Sequence, residues 1–137
     1  MTGNRSRKGL LAVIMAAVVF ATAAGADEPT EEEAALIETG KRQWIRCSGC
    51  HSLSADAPPM FGPHLEGIVG RVAGSVEGFE YTEPTLIERS FVWNEAYFDE
   101  WLTDPRAEYP HMCLAFHGLS NPETRKALIA FLKRPAP

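Results

Sequence analysis

Cys47-Ser48-Gly49-Cys50-His51 is the stretch from which the rest of the chain is read. Two thiols three positions apart, followed at once by a histidine, form a site of the kind at which haem is attached covalently. Each thiol can add across one vinyl group of a porphyrin. His51 is then placed to offer an imidazole nitrogen to the iron. A redox disulfide or half of a zinc site are the alternatives. A second CxxC and a Cys/His pair at zinc spacing are both missing, and no βαβ pattern surrounds the motif, so those readings lose support.

Upstream of the motif the chain opens with Arg5, Arg7 and Lys8, then an apolar run from Leu10 to Ala23, then Ala24-Gly25-Ala26. A basic start, a short apolar stretch and small residues form a secretory signal peptide, predicted to span 1–26. The run is shorter than the roughly 20 residues a spanning helix needs, so no membrane anchor is expected after cleavage. Residues 27–137 then form one domain, with 10 basic against 18 acidic residues and a net charge of −8. So acidic a chain is unsuited to nucleic acid and to anionic membranes. It suits a soluble protein whose partner presents a basic patch, or one whose contact face is locally neutral; the leader is what points to export and the periplasm, where a haem protein would meet other redox proteins.

The acidic start, Asp27 to Glu33, reads as frayed, and Ala34 opens a helical pattern that runs to the motif. Ile37, Trp44 and Ile45 recur at helical spacing on one face. Gly40 inside that helix costs about 1 kcal/mol against alanine, which close approach of another helix would explain. From Ala57 to Gly78 proline and glycine predominate, predicting loop with one helical turn around His64 to Val69. Pro84 begins a short helix. Asn94 caps a helix over Glu95 to Leu102, with Asp99 and Glu100 in solvent, Tyr97, Phe98, Trp101 and Leu102 on its buried side, and Thr103-Asp104-Pro105 ending it. Tyr109 to Leu119 is loop. Asn121-Pro122 opens a last helix reaching Leu132, with Leu128, Phe131 and Leu132 as its apolar stripe. No strand is expected. Long loops with little structure of their own need something to wrap, and haem would supply it.

On these residues the chain resembles the class I cytochromes c, the group that includes mitochondrial cytochrome c and bacterial cytochrome c2. Besides the motif, the likeness rests on Gly62 to Arg71 (GPHLEGIVGR), Gly78 to Thr82 (GFEYT), Trp93-Asn94, Asp104-Pro105 and Ala115 to Leu119 (AFHGL). It implies an all-α fold of three to five helices with long loops around one covalently bound haem c. It also implies a hydrogen bond from the His51 imidazole to the Pro63 carbonyl, and places Arg71, Tyr81 and Trp93 near the haem propionates. Gly40 and Trp44 would pack against the last helix at Leu128 and Phe131.

The likeness breaks at one position. The family's second iron ligand is a methionine four residues after a proline and two before a phenylalanine; Pro110 and Phe116 keep that separation, but Leu114 stands between them. Leucine cannot bind iron. The same loop carries His111, Met112, Cys113 and His117. Cys113 as thiolate, Met112 as thioether, a histidine (His111, His117 or His64), or an open iron behind Leu114 are the outcomes left. A thioether raises the reduction potential and a thiolate lowers it, within the ~0.8 V range of haem proteins.

The leading expectation is therefore a periplasmic electron carrier with His/Cys ligation and a low potential. A haem-based binder of small gases and a haem subunit of a larger redox complex are the alternatives. Pairing of two chains through Cys113 also stays open. No constellation for nucleophilic or acid–base catalysis is visible, so an enzyme is not expected.

Overall fold

The computed structural model describes residues 28–110 and 115–135. Among them lie five α-helices: α1 (Glu31–Gln43), α2 (Pro84–Ile87), α3 (Glu95–Thr103), α4 (Pro105–Glu108) and α5 (Pro122–Lys133). A 3-10 turn, Trp44–Arg46, extends α1 toward the motif. The described residues contain no strand, only an isolated antiparallel bridge between Val72 and Val92. The all-α expectation holds. The proposed leader lies outside the described residues, and among the described ones no helix is long and apolar enough to cross a membrane.

α1 begins three residues earlier than the periodicity suggested. The Thr30 hydroxyl accepts a hydrogen bond from the Glu33 N–H, and the Glu33 carboxylate accepts one from the Thr30 N–H, both 3.2 Å. That reciprocal cap satisfies two otherwise orphaned donors. Glu31, Glu32 and Glu33 at the start, with Lys41 and Arg42 at the end, also suit the helix dipole. The stretch read as frayed is therefore ordered helix from Glu31 onward.

α1 packs directly on α5. A Cβ built on Gly40 would overlap the Ala127 carbonyl and sit 2.7 Å from Phe131 Cβ, so only glycine lets the two backbones come this close. Across this contact Leu128, Phe131 and Leu132 are buried, and the Trp44 and Phe131 rings lie 6.4 Å apart. Ile37 and Trp44 join the core, but Ile45 is 76% exposed. The cause is the tightening to a 3-10 turn, whose three residues per turn carry Ile45 off the face that the α-helical period assigned it.

Asn94 caps α3 through its side chain, which accepts from the Tyr97 N–H at 2.9 Å. Phe98 and Leu102 turn inward. Asp99 keeps 42% of its side chain exposed, but solvent is not its only partner: its carboxylate takes two hydrogen bonds from Arg125, at 2.8 and 3.2 Å. Arg125 also donates to the Leu119 and Ser120 carbonyls, at 2.9 and 3.1 Å. This buried guanidinium thus ties α5 both to α3 and to the segment returning from 115. Asp104-Pro105 ends α3 as expected, yet it also starts α4: the Asp104 side chain accepts from the Ala107 N–H and Pro105 takes the first helical position. Asn121 and Pro122 open α5 in the same way.

The run between the motif and α3 is mostly turns. No helix forms over 64–69. Single i to i+3 bonds occur instead, Ile68 N–H to the Leu65 carbonyl and Arg71 N–H to the Ile68 carbonyl, each 3.1 Å. Helical turns need successive i to i+4 bonds, and the glycines at 67 and 70 adopt positive φ that interrupts them.

Candidate functional site

The motif is one tight turn. Cys50 and His51 N–H groups both donate to the Cys47 carbonyl, at 3.0 and 2.9 Å. Cys47, Cys50 and His51 are each half-buried. The loop that follows folds back onto this turn, and the Gly62 N–H donates to the Cys50 carbonyl at 2.8 Å. Gly62 then lies flat against the imidazole: a Cβ there would sit 2.6 Å from His51 Nδ1. A side chain at 62 would push the ring aside.

His51 Nδ1 meets the Pro63 carbonyl at 2.7 Å. A carbonyl can only accept, so Nδ1 carries the proton and Nε2 keeps its lone pair. Burial pushes the His51 imidazole below its ordinary pKa; the Pro63 hydrogen bond opposes this and the Arg71 charge adds to it. The outcome is a neutral, oriented imidazole, which is what a metal needs of a histidine.

Arg71 lies over the same wall, half-buried. It donates to the Glu66 carbonyl at 2.8 Å and the His64 carbonyl at 2.9 Å. Burial lowers its pKa, while Tyr81 and then Glu66 push the other way, so these groups share one neighbourhood. Trp93 is brought to Arg71 through backbone: Trp93 N–H donates to the Arg71 carbonyl (2.9 Å) and Gly70 N–H to the Trp93 carbonyl (2.7 Å). Along such an antiparallel pair side chains alternate in direction. Accordingly Val72 and Val92 are partly exposed while Trp93 is buried. The Tyr81 hydroxyl accepts from the Val76 N–H at 3.3 Å.

His51 and Pro63 are thus in contact beside the two cysteines, Trp93 is joined to Arg71 through backbone, and Arg71 lies within electrostatic reach of both His51 and Tyr81. Met112, Cys113, His111 and Leu114 fall outside the described residues. His64 adjoins Pro63 and Arg71 on the His51 wall. His117, on the far loop, has its Nδ1 3.0 Å from Arg106 Nη1. Sequence reasoning missed Trp101, whose ring lies between Trp93 (5.5 Å) and Phe116 (5.9 Å). It also missed Arg125. Neither sits in a motif, and only the helical period of α3 pointed to Trp101 as an inward-facing residue.

These residues fit a haem: two thiols on one turn, an imidazole whose Nε2 keeps its lone pair, a glycine that makes room beside the ring, and a half-buried cation that propionates could use. No protein-family model matches the chain. Curated relatives do. It is 34% identical over 123 residues to the cytochrome c2 of Rhodomicrobium vannielii, covering 89% of this chain and 91% of that one. To the cytochrome c2 of Afifella marina it is 36% identical over 100 residues, 72% of this chain and 81% of that one. To the cytochrome c-550 of Nitrobacter winogradskyi it is 33% identical over 98 residues, 72% and 89% respectively. With that cover added to the locked imidazole, the chain belongs to the class I c-type cytochromes, and its cofactor is one covalently bound haem c with its iron.

Proposed function

We propose that this protein carries single electrons between redox partners in the periplasm, after removal of residues 1–26. Cys47 and Cys50 hold the haem through thioether bonds, His51 Nε2 binds the iron, and Arg71, Tyr81 and Trp93 receive the propionates. The observation that carries the reading is the His51 Nδ1 contact with the Pro63 carbonyl at 2.7 Å. It fixes tautomer and ring direction at once, and raises the imidazole's basicity toward a metal. The bound haem supplies a one-electron iron couple.

The chain's own part is to hold that couple still. The imidazole cannot swing, because Gly62 and Pro63 pin it from two directions. Arg71 cannot leave, because two carbonyls hold its guanidinium. A centre that keeps its geometry in both oxidation states exchanges electrons with little reorganisation. The acidic surface favours partners that present basic patches.

We propose further that the loop 111–114 supplies the sixth ligand, with Cys113 as thiolate ahead of Met112 as thioether. An anionic sulfur stabilises ferric iron and gives a low potential. Optical spectra of ferric and ferrous protein, with and without carbon monoxide, test this. A thiolate is expected to give a shifted Soret band and near-infrared charge-transfer features that disappear in Cys113→Ala. A weak far-red sulfur-to-iron band lost in Met112→Leu would move the assignment to Met112. Rapid carbon monoxide binding by the untreated ferrous protein would favour a gas binder, as Leu114 at the ligand register would allow.

A further inference from the structure

Phe61 is the most exposed large apolar side chain among the described residues, at 90%, and Ile45 follows at 76%. Scattered singly, such residues carry no message. These two flank one turn. Ile45 stands two positions before Cys47, and Phe61 directly precedes Gly62, whose N–H donates to the Cys50 carbonyl at 2.8 Å. Met60, 39% exposed, adds an adaptable thioether next to Phe61. The turn that bears the two thiols thus has exposed apolar side chains on both flanks.

Nor is the segment that presents Phe61 loose. Pro58, Pro59 and Pro63 restrict the backbone around it. Ahead of it the Ala55 N–H donates to the Glu66 carboxylate at 2.7 Å, and behind it Gly62 is bonded to Cys50. A side chain held out from so constrained a backbone loses little freedom when something covers it. Aromatic residues of this kind anchor protein interfaces, seated in a pocket and ringed by contacts that exclude water.

Charge narrows what covers it. Residues 39–65 hold Lys41, Arg42 and Arg46 against Asp56 alone, a surplus of two positive charges within a domain, 27–137, that nets −8. Arg42 and Arg46 are exposed, and their printed acceptors are neutral: Thr39 Oγ1 at 2.9 Å and Gln43 Oε1 at 3.2 Å. Both guanidinium charges remain to be offered outward. A second copy meeting this face symmetrically would set cation against cation.

We propose that Phe61, with Ile45 and Met60 about it, anchors this cytochrome on its redox partner, and that the partner is a protein offering an apolar socket with carboxylates at its rim for Arg42 and Arg46. The inference names the partner's chemistry for the electron-carrier reading above and rests on that reading. The acidic remainder of the surface guides the approach of basic groups lying farther out on the partner. At the contact itself, apolar burial holds the pair and the rim charges orient it. A partner seated there lies against the turn whose thiols hold the haem.

The test is oxidation of the ferrous protein by washed membranes of the organism that makes it. Phe61→Ser changes a side chain that lies almost wholly in solvent. It is expected to raise KM about tenfold and to leave kcat within about twofold, with potential, spectrum and the reaction with a small dye as in wild type. Arg46→Gln is expected to raise KM about threefold at low salt, a difference that fades near ~0.5 M salt, where the Phe61→Ser difference persists. An unchanged KM in Phe61→Ser overturns the proposal, as does a shifted potential, which would make Phe61 part of the haem's surroundings. Sedimentation of wild type as a dimer that Phe61→Ser dissolves would make a second copy the occupant and overturn it too. Binding to phosphatidylglycerol vesicles that the variant loses would do the same in favour of a membrane. Wild-type protein that the dye oxidises and the membranes do not overturns the carrier reading together with this one.

Discussion

The helical frame and the loop wall of this small protein are held together by different forces. α1 and α5 meet through apolar contact and one glycine, with Leu128, Phe131 and Leu132 almost wholly enclosed. The wall from Cys47 to Trp93 has little regular structure. It is held by polar groups reaching backbone carbonyls: His51 to Pro63, Arg71 to His64 and Glu66. Glu66 in turn accepts from the Ala55 N–H at 2.7 Å. Packing is strong but indifferent to detail, whereas these bonds fix direction. The frame should govern whether the protein stays folded, and the wall how the iron behaves.

The most severe way to break the contrast is Gly40→Val. It drives a branched side chain into the Ala127 carbonyl and is expected to cost about 3 kcal/mol or more, read as a lower denaturant midpoint. Below that midpoint the haem spectrum should match wild type. An altered spectrum in fully folded protein would show that frame and wall are not separable. Arg71→Met tests the other side. It leaves two carbonyls without their cationic donor and is expected to destabilise by about 1–3 kcal/mol. Its larger signature is a shifted potential, since the charge that acts on His51, and that is proposed above to receive the propionates, is gone; an unmoved potential would remove Arg71 from the site. Thr30→Ala sharpens the comparison at its small end. Losing one half of the cap should cost about 1 kcal/mol, visible in thermal unfolding, with the potential unaltered.

The sequence announced the wall more clearly than the frame's finer parts. Cys47 to His51, Pro63 and Arg71 stand in ordered motifs, so their chemistry could be read before any fold. Gly40 was legible as well, because a glycine inside a helix asks for a neighbour. What stayed hidden depends on distance along the chain. Asp99 and Arg125 are 26 residues apart, and no spacing rule joins them; Asp99 therefore read as solvated. Ile45 was misplaced because a period of 3.6 cannot foresee a local change to 3.0. The start of α1 was available and overlooked: Thr30-Glu31-Glu32-Glu33 is a capping box by composition, but its run of acids resembled a tail. Trp101 read only as part of the inner side of α3, because a helical period shows which way a ring turns and not which rings it meets there.

If residues 1–26 are removed as proposed, the position of that cap bears on how the chain matures. If the leader departs after Ala26, only Asp27, Glu28 and Pro29 precede the threonine that starts α1. Ragged processing thus has a tolerance three residues wide. Trimming inside it leaves the first helix anchored, whereas a protease that bites past Thr30 undoes the opening turn and loosens the partner face of α5 from the outside inward.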